Sequence, residues 1–64
     1  MTQKELLYVE DAIEHEKNII SICTDMSSKL TDENLKTFIN NEISIHNKVQ
    51  NELMNLLKEE KNGQ

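Results

Sequence analysis

Apolar side chains recur along this chain at alternating steps of three and four residues. In the first half the steps fall on Leu6, Val9, Ile13, Glu16, Ile20, Cys23, Ser27 and Leu30, with Ala12, Ile19 and Met26 widening the stripe on one side. In the second half they fall on Leu35, Ile39, Glu42, His46, Val49, Leu53 and Leu56, widened by Phe38, Ile45 and Leu57. Steps of this kind keep side chains on one face of an α-helix, and a stripe this broad suits a bundle better than a narrow two-stranded seam. The pattern breaks once, around Ser27–Asp32, where Thr31 or Asp32 supplies the short side-chain oxygen that caps a new helix. The spacing therefore predicts helix one over 2–28, a turn at 29–31 and helix two over 32–61, with Lys58, Lys61 and Gly63 as stop chemistry. Two helices joined by a short turn make an antiparallel hairpin, an all-α fold in a single domain.

Composition sharpens this picture. The chain has 64 residues, no Pro and one Gly, so little interrupts a long helix. A chain this short buries only about 60% of its unfolded surface, and its one cysteine allows no intrachain disulfide. A hairpin alone leaves much of its apolar stripes uncovered, so self-association is expected, two hairpins forming a four-helix bundle as a homodimer. Twelve acidic against seven basic residues leave a net charge of −5, which argues against a nucleic-acid partner. No apolar window of about 18 residues is present to span a membrane. The opening residues meet acidic side chains before any long apolar run, so synthesis in the cytoplasm without secretion is expected.

The informative anomaly is three ionisable residues on the apolar faces: Glu16, Glu42 and His46. Glu16 stands fifteen residues before Thr31 and His46 fifteen after it. At 1.5 Å rise per residue both lie about 22 Å from the turn, at one level of the hairpin, with Glu42 one helical turn nearer the loop. Two carboxylates and an imidazole facing inward in a bundle form the ligand types of carboxylate-bridged metal sites, and the donor set suits iron or manganese. The same trio also reads as a polar layer that fixes alignment without metal, or as groups that reach water. The spacing Glu42-x-x-x-His46 differs from the Glu-x-x-His of such bundles. His15 points to the stripe's edge, Cys23 reads as a small core hydrophobe, and Tyr8, Met26 and Met54 read as core or interface residues. No nucleophile–base pair or phosphate loop is visible.

Several stretches resemble the spore coat F family of small ferritin-like proteins: His15-Glu16-Lys17 before an Ile-rich turn of helix, Leu30-Thr31-Asp32-Glu33-Asn34-Leu35-Lys36, and Glu42 through His46. The opening Lys4–Ala12 is similar to small spore coat proteins of Firmicutes. The chain also resembles encapsulated ferritins, whose two-helix chains dimerise to complete a ferritin-like bundle and its metal site. The resemblance implies a structural coat protein with coat-protein partners, in which Glu16 matches the first-helix carboxylate and His46 falls near the second-helix ligand. Where those proteins carry a histidine one turn later, this chain has Val49. The functional expectation is a non-enzymatic, self-associating hairpin of a spore coat; the alternative is a small ferritin-like protein binding iron or manganese at Glu16, Glu42 and His46.

Overall fold

The computed structural model describes residues 1–62; the expected stop at Gly63 lies outside the described residues. It holds two helices, α1 (Gln3–Lys29) and α2 (Glu33–Asn62), packed against each other as a hairpin. Helices of 27 and 30 residues are about 40 and 45 Å long, and the molecule measures 48 × 15 × 11 Å. It is thus one layer of two rods.

Both helix starts are capped by side chains. Thr2, extended at φ −72° and ψ 164°, precedes α1. Its hydroxyl accepts from the Glu5 backbone N–H at 3.1 Å, and its own N–H donates to Glu5 Oε1 at 2.7 Å. This reciprocal capping box satisfies two otherwise unpaired donors. Asp32 caps α2: its Oδ1 accepts from the Leu35 N–H at 2.9 Å, and its carbonyl accepts from the Lys36 N–H at 2.9 Å. Of the two expected caps, Asp32 rather than Thr31 does this, so the helix begins at Glu33 and the turn occupies residues 30–32. Leu30, extended at φ −81° and ψ 144°, ends α1 one residue later than the spacing predicts. The turn needs no glycine, because no described residue takes a positive φ.

The seam of α1 follows the predicted steps, each half-buried or better from Leu6 to Leu30. The most buried apolar residues are Ile13 and Ile39, and no large side chain is fully enclosed. In α2 the structure departs from the pattern. Leu35 and Leu56, expected along the centre of the stripe, are exposed. Lys36, Ile43 and Gln50, outside the predicted stripe, are half-buried, and Leu57 is half-buried as its stripe-widening place predicts. The helix is turned so that Ile39, His46 and Leu53 sit at mid-seam. Ile43 and Leu57 then add apolar contact on one flank, and the methylene stems of Lys36 and Gln50 can cover apolar surface there. Near the turn, the Ser27 hydroxyl donates to Asn40 Oδ1 at 2.9 Å, a polar latch between the helices.

Candidate functional site

Glu16 is the central residue of α1, and its side chain meets α2 at mid-length. There the His46 ring stands between two carboxylates. Its Nδ1 lies 2.5 Å from Glu16 Oε2, and its Nε2 lies 3.6 Å from Glu42 Oε2. The second pair belongs to one helix face at i, i+4, so backbone geometry alone brings it together. The first crosses the hairpin and depends on the register that the turn sets. The side chains of Glu16, His46 and Glu42 are 17, 26 and 35% exposed, so the cluster grades from the seam out to water.

The three residues singled out in the sequence therefore meet as their register predicts. They meet around the ring, however, and not around a point. The two imidazole nitrogens face away from each other, so each carboxylate takes a different edge. A neutral ring offers one N–H and serves one carboxylate; a doubly protonated ring serves both. A metal ion instead needs one ring nitrogen and several oxygens converging at about 2.0–2.2 Å. Among the described residues no group of three or more His, Cys, Asp or Glu side chains is placed to hold such an ion.

The other candidates stand apart from this cluster. His15 is exposed, with Nε2 3.4 Å from Asp11 Oδ2 one turn back on its own helix. Cys23 is a half-buried free thiol in the seam. Tyr8, Met26 and Met54 are exposed, which excludes them from the core of the single hairpin. No described helix is long and apolar enough to cross a membrane.

The pattern reading places Ala12, Ile19 and Met26 as widening the stripe; what it misses is that they belong to a second, mostly exposed row beside the seam. Its signal is present: Tyr8, Ala12, Ile19, Ile22 and Met26 keep the same steps of three and four once His15 is allowed as a polar member. In α2, Phe38 and Ile45 read as stripe-widening residues but are 58 and 53% exposed. Compared with protein-family models, with curated proteins and with solved structures, the chain matches none.

Proposed function

We propose that this chain is a structural protein whose working form is a self-associated hairpin, two copies completing a four-helix bundle. The observation that carries this reading is the shortfall of the single hairpin. Stable domains bury their apolar surface between at least two packed layers, and this molecule has one. Its accessible surface is 4942 Å², against about 4,200 Å² for a compact monomer of its mass. Large apolar side chains, Tyr8 at 62% and Ile22 at 62% among them, stand in water on both helices.

The cluster at Glu16, Glu42 and His46 acts in this reading as an alignment layer. A polar pair inside an apolar seam penalises every register that leaves its members unmatched, which is the best-attested role of such groups. The resemblance of its short motifs to the spore coat F family, together with the two-helix architecture, supports placing the protein in a coat-type assembly beside other coat proteins. Iron or manganese binding would require a second copy to bring further donors to the cluster. Sedimentation equilibrium over a wide concentration range tests the central claim. A mass that doubles with concentration is expected; a single-chain mass at every concentration overturns it.

A further inference from the structure

The two long flanks of the hairpin differ in character. Glu10, Glu14 and Lys17 of α1 border one shallow groove with Met54 and Leu57 of α2, which identifies the flank of each helix that belongs to that face. In an antiparallel pair the remaining flanks of both helices also share a face. On α1 that flank carries Tyr8, Ile19, Ile22 and Met26; on α2 it carries Leu35, Phe38, Ile45 and Leu56. With Glu16 level with His46, the rows match in height: Tyr8 beside Leu56, Ile19 beside Ile45, Met26 beside Phe38. One face of the hairpin is therefore an apolar ladder two helices wide, and the other is mixed and charged.

We propose that a second copy of this chain covers the ladder face, and that the groove face stays in water. This inference rests on the self-association reading above and says which surface serves it. Taking about 190 Å² for each large apolar residue, the exposures of these eight leave about 750 Å² in water. That exceeds the patch of about 300–600 Å² that an ordinary monomer tolerates. It approaches the roughly 800 Å² that each partner buries in a standard stable interface. Charge permits a copy of the same chain there despite the net −5. Along the middle of the face the flanking charges are Lys48 and Glu52 of α2 and Asp11 of α1, the last in contact with His15, with the half-buried Glu42 beside them. The bulk of the acidic residues lie elsewhere.

The chain has no tryptophan, so single reporters read each face without disturbing the helices. Phe38→Trp marks the ladder and Met54→Trp the groove. Emission of the Phe38→Trp variant is expected to move to the blue in step with the doubling of mass, while that of Met54→Trp stays constant. In a second measurement, Ile45→Lys is expected to raise the dissociation constant about tenfold or more and Met54→Lys to change it less than about threefold. A blue shift confined to Met54→Trp, or mass doubling with neither emission moving, overturns the face assignment while leaving self-association intact. Mass that never doubles overturns the self-association reading itself.

Discussion

Thr2 and Glu5 show how much a few atoms decide at a helix start. The four leading N–H groups of α1 have no partner within the helix, and the Thr2 hydroxyl takes one of them while the Glu5 carboxylate takes the Thr2 N–H. The Thr2 backbone hydrogen bond, followed by that from its side chain, holds the Glu5 carboxyl below its ordinary value of 4.5. A carboxyl with a lower pKa when folded adds stability above the unfolded value and loses it as pH falls through the folded one. Acid titration of helicity should thus show a shallower decline for Glu5→Gln than for the parent chain below about pH 5, with the parent more stable at neutral pH. Asp32 does the corresponding work for α2. Replacing it by Ala should cost about 1 kcal/mol, read as a lower melting temperature at matched concentration.

At the scale of the helices the cross-hairpin pair Glu16–His46 is the informative contact. Removing the ring alone, as in His46→Leu, leaves Glu16 in the seam, and Glu42 one turn nearer the loop, without their shared partner. That should cost about 1–3 kcal/mol, toward the lower end because the cluster is part wet. Replacing Glu16 and His46 together by Leu should restore or exceed parental stability, since paired apolar groups avoid the desolvation that the polar pair carries. A double-mutant cycle by urea melts measures the difference; strictly additive losses would contradict a coupled pair. This pair was legible from the chain because its two members stand equally far from the turn, and helical rise is invariant. The rotation of α2 was not. Leu35 and Leu56 satisfy the apolar steps as well as Ile43 and Leu57 do, and periodicity cannot choose between adjacent stripes. The choice depends on how the side chains of the other helix fill the seam. The same ambiguity concealed the capping residue, since Thr31 and Asp32 both have a suitable oxygen and only the backbone entry into α2 selects Asp32.

For the molecule as a whole, the thin core sets what each buried residue is worth. Ile39 is among the few well-buried side chains, and large-to-small changes at such sites cost about 2–5 kcal/mol. Small domains have total stabilities of about 5–15 kcal/mol, so Ile39→Ala should remove a large part of the cooperative melt seen by circular dichroism. The same truncation at exposed Leu7, on the opposite face from the ladder, should stay within about 0.5 kcal/mol. A hairpin whose stability comes partly from a second copy must also respond to its own concentration.

That response separates the two uses to which the Glu16–His46–Glu42 layer can be put. A partner that binds only the folded state raises stability in proportion to the logarithm of its concentration, whether the partner is another chain or an ion. If self-association holds the fold together, raising protein concentration a hundredfold should lift the melting temperature by several degrees in chelator-treated samples. If the layer serves alignment, ferrous or manganous ion added at fixed protein concentration should leave that temperature where it was, because both ring nitrogens already face carboxylates. A rise with metal that disappears in Glu16→Leu would instead assign the layer to metal binding. Since Glu16 lies at the centre of α1, a two-fold axis through the middle of the bundle would bring two such layers to the same height whether the turns share one end or not. Melting curves across both concentrations therefore test what the layer does for either orientation of the two hairpins.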